Sequence, residues 1–182
     1  MKEFTHLDER GKAQMVDVTE KKATLREARA RGTVLMNPET FQRIMAGGIA
    51  KGDVLGVAKV AGIMGAKKTA ELIPMCHPLN ITNVAITFKP IEEKHCIEIE
   101  AQAKLKGQTG VEMEALTAVA TAALTIYDMC KAVDRSMVIS DIHLIEKKGG
   151  KSGHYAKSKN PPRKDTSPVS YTHLTLPTKR IV

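Results

Sequence analysis

The sequence predicts an α+β domain in which helices cover one face of an antiparallel sheet. Two segments, Ile81–Lys89 and Cys96–Leu105, alternate apolar and polar residues with the period of two that is typical of half-buried strands. A third segment, Thr109–Asp134, is rich in alanine and keeps its charges near its ends, which is typical of a long and largely buried helix. A hairpin followed by a long helix therefore forms the centre of the prediction.

The chain before the hairpin supplies the first strand and a short helix. We predict the strand within Thr24–Met36, because its β-branched end favours extended backbone. The following Asn37 is suited to be an N-cap and precedes a proline, so the short helix Pro38–Ala46 is predicted to begin there. Gly47 and the glycine after it end this helix.

A second helix is predicted to begin after Asp53 as N-cap and to continue until Pro74 ends it. After the long helix in the chain, Met137–Glu146 carries the alternating apolar residues of a last strand. The order of elements is thus β-α-β-β-α-β, with two helices in the first connection. This order predicts the ferredoxin-like arrangement, an antiparallel sheet with its helices packed on one face.

The chain divides into three parts by composition. Residues 1–14 are polar and are predicted to be mobile, without the apolar core of a signal peptide. Residues 15–157 form one predicted domain. Residues 158–182 are rich in Lys, Ser, Pro and Thr without periodicity, so we interpret them as a disordered, vector-derived tail.

The charge of the chain does not indicate a nucleic-acid partner. The net charge is +8, but residues 1–156 hold 22 basic and 19 acidic residues, so the excess there is only +3. No apolar run is long enough to span a membrane, and the three cysteines show no paired spacing. We therefore predict a cytoplasmic protein that binds neither nucleic acid nor membrane.

Reactive side chains surround the second predicted helix. Lys51 lies beside a glycine just before the start of the helix, where main-chain amides bind anions, so the loop is either a phosphate site or a solvated lysine. Lys68 complements the helix dipole at the other end. His77 precedes a proline at a helix–strand junction and is suited to titrate or to bind a ligand. The neighbouring Cys76 gives no metal site, because further ligands at the required spacing are missing.

A glycine-rich segment, Lys147–Gly153, follows the last strand. It ends in Gly-Lys-Ser-Gly, but Ile145 stands where a Walker loop requires glycine, and no helix follows. We reject that motif and retain the possibility of a lysine loop that folds over phosphate.

The long helix carries a polar stripe that begins at Glu114 and ends at Asp128. The threonines between them are expected to bond to their own helix. Asp128 and Lys131 are three residues apart, so they form either a surface ion pair or a buried pair suited to proton transfer. In this apolar helix we favour the buried pair.

Glu114 and Asp128 cannot act on one atom within a single chain. They are 14 residues apart, which is about 21 Å along a helix. Two antiparallel copies of the helix, packed through Ala118, Ala122 and Ala123, would bring Glu114 of one subunit near Asp128 of the other. The sequence therefore predicts a composite site between subunits.

Five of these segments together resemble one protein family. They are KGDV at Lys51–Val54, LIPMCHPL at Leu72–Leu79, TGVEMEALTA at Thr109–Ala118, IYDMCKAVD at Ile126–Asp134 and GGKSG at Gly149–Gly153. The combination, in this order and at these spacings, is similar to the MoaC family of molybdenum-cofactor biosynthesis, the cyclic pyranopterin monophosphate synthases. The resemblance extends from about Met15 to about Lys157, and the tail beyond it departs from the family.

The resemblance implies a lyase that acts after a radical GTP cyclase. It would convert 3′,8-cyclo-7,8-dihydro-GTP into cyclic pyranopterin monophosphate and release pyrophosphate. The family forms a ferredoxin-like homohexamer, a trimer of dimers, with active sites at subunit interfaces. No resident cofactor or metal is implied, although Mg²⁺ can accompany the substrate triphosphate.

The resemblance also implies roles for individual residues. Asp128 would be the catalytic aspartate, with Lys51 and Lys131 as essential lysines. The residues implied to bind substrate are Met75, Cys76, His77, Met113, Glu114, Lys68 and Lys147.

Two other classes of protein remain open from the sequence. A ferredoxin-like sheet can bind single-stranded RNA, but this chain is only 3% aromatic and has no tryptophan to stack on bases. A nucleotide-sensing regulatory oligomer would explain the lysine loops but not a buried Asp128–Lys131 pair. Turnover separates that class from an enzyme.

Overall fold

The sheet has the predicted strands in the predicted antiparallel order. A computed structural model describes residues 10–47, 49, 52–151 and 153–157. The strands pair in the order β2-β3-β1-β4-β5, and every neighbouring pair is antiparallel. Their bounds are β1 Thr24–Leu35, β2 Asn83–Ile91, β3 Cys96–Gly107, β4 Val138–Lys148 and β5 Tyr155–Ala156. The short β5 is an addition to the predicted sheet.

Four α-helices accompany this sheet, and two of them pack against its strands. The four helices are α1 Pro38–Met45, α2 Val54–Lys67, α3 Thr69–Leu72 and α4 Glu112–Cys130. Helix α4 lies against β1, β3 and β4, while α2 lies against α4 and β2. The ferredoxin-like α+β fold is confirmed.

The second predicted helix is interrupted in the structure. Helix α2 ends at Lys67, and Lys68 has φ −105° and ψ 12°, which are not helical values. The hydroxyl of Thr69 donates to the carbonyl of Ala66 at 2.9 Å. A threonine that bonds back to the preceding turn competes with the helical ladder, so the single-helix prediction was wrong at this position.

Helix α4 is shorter than the predicted Thr109–Asp134. After Cys130, the amides of Val133 and Asp134 both donate to the Cys130 carbonyl, at 2.8 and 3.0 Å, and the chain turns away from the helix axis.

No helix in the described part of the chain is both long and apolar enough to cross a bilayer.

The alanines of α4 pack within the chain and not against a second copy. Ala118, Ala122 and Ala123 are completely buried. A Cβ placed on Gly62 of α2 would lie 2.8 Å from the Ala118 carbonyl oxygen and 3.3 Å from the Ala122 Cβ. These small residues therefore let α2 approach α4, and the prediction that they form a seam between subunits was wrong.

The opposite face of the sheet carries ion pairs that the sequence analysis did not predict. Arg29 of β1 contacts Glu100 of β3 and Glu146 of β4, and Arg31 lies 3.0 Å from Glu100 and 3.4 Å from Glu98. Cross-strand pairs of opposite charge stabilise a sheet, so these ion pairs contribute to the stability of this face.

A buried carboxylate joins the end of α4 to the start of α1. Asn37 occupies the predicted N-cap position, but its side chain does not cap the helix. Its backbone amide instead donates to Oδ2 of Asp134 at 2.8 Å, and the amide and hydroxyl of Ser136 donate to Oδ1 at 2.9 and 2.6 Å. Burial opposes ionisation of Asp134, but these hydrogen bonds outweigh it and lower the pKa of the carboxyl.

Asp134→Ala should lower the free energy of unfolding by about 1–3 kcal/mol at pH 7, because it leaves these donors without their acceptor. Since the folded pKa is lowered, the stabilisation is present above the ordinary aspartate pKa of about 3.9 and is lost as the pH falls through the folded value. Urea unfolding at pH 7 and pH 3 tests this. The prediction is refuted if the variant and the parent are equally stable at pH 7, or if their difference in stability is the same at pH 3 as at pH 7. Asp17→Ala, in an exposed turn, is the control and should change stability little.

Candidate active site

A cleft of about 560 Å³ opens at the N-terminal end of α4. Its walls come from the segment before β1, the connection between α3 and β2, the loop before α4, and the end of β4. Its lining includes Lys21, Arg26, Met75, Cys76, His77, Glu112, Met113, Glu114, Lys147 and Lys151.

The cleft brings together six of the residues predicted to bind substrate. Met75, Cys76 and His77 come from the α3–β2 connection, and Met113 and Glu114 come from the first turn of α4. Lys147, at the end of β4, is the sixth. Burial raises the pKa of the Cys76 thiol, and the charge of nearby Glu114 raises it further. Both effects disfavour the thiolate form of Cys76.

Glu114 is the most deeply buried ionisable group of the cleft. Its side chain also lines a second cavity of about 120 Å³ on the side of Thr69 and Leu79, yet the residue is only 3% exposed. Burial raises its pKa to about 7, and the neighbouring charge of Glu112 contributes in the same direction. A carboxyl with this pKa can donate or accept a proton near neutral pH.

Glu114→Gln should change how stability depends on pH. Because the folded pKa of Glu114 is about 7, above the ordinary glutamate value, the folded state loses stability as the pH rises from about 4.5 to 7. Replacement by glutamine removes this loss, so the variant should gain up to about 3 kcal/mol relative to the parent between pH 5 and pH 8. Urea unfolding of both proteins at the two pH values measures the gain. Parallel pH dependences would show that Glu114 ionises normally.

The sequence analysis did not identify Lys21, Arg26 and Glu112 as residues of the cleft, whereas Lys151 belongs to the lysine loop that it considered for phosphate. The Nζ of Lys147 donates to Oε1 of Glu112 at 2.8 Å. Four cations face two carboxylates, one of which is half protonated near pH 7. This balance favours an anionic ligand.

Asp128 and Lys131 lie at the other end of α4. Lys131 Nζ is 2.6 Å from Oδ1 of Asp128, so the predicted pair forms, and its hydrogen bond and charge raise the pKa of Lys131. Both side chains are more than half exposed, at 53% and 57%. The prediction of a buried pair was therefore wrong for the single chain. The helix rises about 21 Å between Glu114 and Asp128, so the pair is remote from the cleft of its own chain.

The remaining predicted residues lie outside the cleft or outside the described part of the chain. Lys68 is exposed and lies 3.6 Å from Glu71. Lys51 falls outside the described residues, but the predicted N-cap beside it is confirmed, since Oδ1 of Asp53 accepts from the Gly56 amide at 2.9 Å. The expectation for the threonines is confirmed at Thr125, whose hydroxyl donates to the Thr121 carbonyl at 2.8 Å.

The fold and the cleft define an α+β protein with a cation-lined cleft at one end of a ferredoxin-like sheet. The model of the MoaC family matches residues 15–150. The chain belongs to the MoaC family.

Curated relatives agree over most of the chain. Cyclic pyranopterin monophosphate synthase of Heliobacterium modesticaldum is 61% identical over 157 residues, which are 86% of this chain and 99% of that protein. The synthases of Pelotomaculum thermopropionicum and Desulfitobacterium hafniense are 60% and 63% identical. Those alignments cover 86% and 85% of this chain, and 92% and 94% of the relatives.

Proposed function

We propose that this protein is a cyclic pyranopterin monophosphate synthase of molybdenum-cofactor biosynthesis. It converts 3′,8-cyclo-7,8-dihydro-GTP, the product of a radical GTP cyclase, into cyclic pyranopterin monophosphate and pyrophosphate. The observation that carries the proposal is the cleft, which joins three segments of the family motifs around an excess of cations. Relatives that are about 60% identical carry the name of this enzyme.

The cleft suits the two ends of such a substrate. A nucleotide presents a polar ring and a polyphosphate, and the cleft presents Glu114 and His77 beside several lysine and arginine side chains. The carboxyl and imidazole hydrogen-bond the ring edge, while the cations balance the phosphate charge. Met75 and Met113 offer an adaptable apolar contact for the ring faces.

Proton transfer falls to Asp128 and Lys131. Opening and reclosing the purine ring requires protons to move on and off nitrogen and oxygen, and a paired carboxylate and ammonium can provide both. Loss of pyrophosphate places negative charge on the leaving group, which Lys51 and the cleft cations stabilise. These steps need no resident cofactor, and Mg²⁺ enters with the triphosphate as part of the substrate.

The complete site in this proposal lies between subunits of a homohexamer, a trimer of dimers. The exposed Asp128–Lys131 pair at one end of α4 and the cleft at the other end are two halves that a neighbouring copy can bring together. Val57, Val60 and Met64 of α2 and Leu124 of α4 are 46–60% exposed, and apolar surface of this kind is suited to subunit contact. The assembly acts in the cytoplasm.

Turnover of the cyclic dihydro-GTP substrate tests the proposal. The purified protein is incubated with this compound, and pyrophosphate release and pterin fluorescence after oxidation are followed over time. We expect both products to appear in equal amounts. Tight binding of the nucleotide without release of pyrophosphate would instead identify a nucleotide-sensing regulatory protein.

A further inference from the structure

We propose that a small cavity behind Glu114 holds water and lets this carboxyl exchange its proton with solvent while substrate fills the cleft. This rear cavity has a volume of about 120 Å³ and lies between the end of α2, helix α3 and residues 78–81. The inference rests on the proposed function for the ligand of the cleft. It adds a proton-transfer role to the ring contact proposed for Glu114, at the end of α4 that is remote from Asp128.

Glu114 forms part of the wall between the cleft and the rear cavity. Among the described residues, only Glu114 and Leu79 line both spaces. Glu114 is only 3% exposed, so very little of it meets bulk solvent directly. A ligand in the cleft would therefore cover one side of Glu114 and leave the other side facing the rear cavity.

The carboxyl of Glu114 lacks the protein partners that a buried carboxyl normally has. In the described part of the chain, no hydrogen bond or ion pair joins it to the side chain of another residue. Asp134, which is buried to the same degree, accepts hydrogen bonds from Asn37 and Ser136. Buried polar groups without protein partners are normally hydrogen-bonded to ordered water. The carboxyl of Glu114 thus requires a source of water beside it.

The rear cavity has the size and the polarity that water requires. Its volume is several times the 10–15 Å³ or so that one water molecule needs. The hydroxyl of Thr69 donates to the Ala66 carbonyl at 2.9 Å, so its oxygen remains free to accept a hydrogen bond from water. Lys67 and Glu71 also line the cavity and are exposed, so the cavity reaches the surface. A chain of hydrogen-bonded water can connect Glu114 to solvent along this route.

The charges around Glu114 allow its carboxyl to gain and lose a proton near neutral pH. Burial and the charge of Glu112 raise its pKa to about 7. The charged residues of the rear cavity are Lys67 of α2 and Glu71 of α3. The titratable and charged residues of the cleft are Lys21, Arg26, Cys76, His77, Glu112, Lys147 and Lys151. When the carboxyl breaks its O–H bond, the proton passes to the water chain, and the reverse step returns it, so no further reactant is needed.

Filling the rear cavity tests the inference. Ala70 lines the cavity and is half-buried, so Ala70→Leu places a larger apolar side chain there and displaces water. Infrared difference spectra of the assembled protein follow the titration of Glu114, whose protonated carboxyl band is assigned by its loss in Glu114→Gln. We expect the titration midpoint of Glu114 in Ala70→Leu to rise by about one pH unit or more, because the ionised form loses its water.

Ala85→Leu is the matched control for this variant. It makes the same substitution at an exposed position of β2 that lines neither cavity, so the midpoint of Glu114 should not move. An unchanged midpoint in Ala70→Leu, or an equal rise in Ala85→Leu, would overturn the inference.

Turnover gives a second readout on the same samples. Ala70→Leu should lower kcat by about tenfold or more while KM stays within about twofold, because the contacts of the cleft are kept and the proton route is closed. Ala85→Leu should retain both constants. A normal kcat in Ala70→Leu would show that Glu114 does not exchange its proton through the rear cavity during the reaction.

Failure of the proposed function gives a different result. A parent that does not convert the substrate refutes the proposed function, and the titration then decides the inference alone. A rise in the midpoint confined to Ala70→Leu supports the water-filled access to Glu114, and no rise overturns it. If Ala70→Leu does not fold, as judged by thermal melting and assembly size, Ala70→Val replaces it, and the same directions are expected.

Discussion

Asp128→Asn should lower turnover by about 10²–10⁴-fold while the substrate still binds. Asparagine keeps the size and much of the hydrogen-bonding reach of the side chain but cannot accept and return a proton. Lys131 lies 2.6 Å from the carboxylate, so the substitution also removes the charge that raises the pKa of the lysine. Both changes affect the chemical step, whereas the cleft lies at the other end of α4. Single-turnover kinetics and a separate binding measurement distinguish the two effects.

Asp141→Asn provides the matched control for this substitution. Asp141 is exposed in β4 and has a positive φ of 54°, a conformation that asparagine also tolerates. It belongs to neither half of the proposed site, so its turnover should remain within about twofold of the parent. A less than tenfold loss in Asp128→Asn would show that the carboxylate is not the acid or base of the reaction.

The strands could be predicted from sequence because their pattern is local. Alternation in β2 and β3 depends only on which side chains face the core, and the structure follows it closely. The break at Lys68 was missed because it arises from one side-chain hydrogen bond, from Thr69 to the preceding turn. An isolated threonine in an apolar segment does not reveal whether it bonds to the helix or ends it.

The partner of the α4 alanines could not be predicted for a different reason. Small residues allow close approach of any helix, whether it comes from the same chain or from a second copy. The partner of the alanines is identified by Gly62 and Gly65 of α2, which contact Ala118, Ala122 and Thr121. Only the tertiary fold shows that the two sets face each other, and with α2 in place the alanines are buried within one chain.

The residues of the candidate site were likewise predicted only in part from the sequence. The motif residues of the α3–β2 connection and of the first turn of α4 do meet in one cleft, as predicted. Arg26 was missed, although its place in the alternating row that contains Ala28 and Ala30 was visible in the sequence. Glu112 was missed because its partner, Lys147, is 35 residues away in the sequence. The two residues meet only when β4 and α4 pack together in the folded domain.

Mixing two inactive variants tests the composite site most directly. The first variant is His77→Ala combined with Glu114→Gln, which disables the cleft, and the second is Asp128→Asn. If each site takes its cleft from one subunit and Asp128 from another, random pairing should restore about a quarter of the parent activity. Half of the pairs are then mixed, and one of the two sites in each mixed pair is intact.

The two variants carry different affinity tags and are produced together, so that mixed oligomers can be isolated and their size measured by light scattering. As a control, the cleft variant is mixed with a differently tagged copy of itself, and this mixture should remain inactive. Recovery of about a quarter of the activity in the random mixture is the result that the composite site predicts. Mixed oligomers that form but show no activity, or an active monomer of the parent protein, would contradict a site shared between subunits.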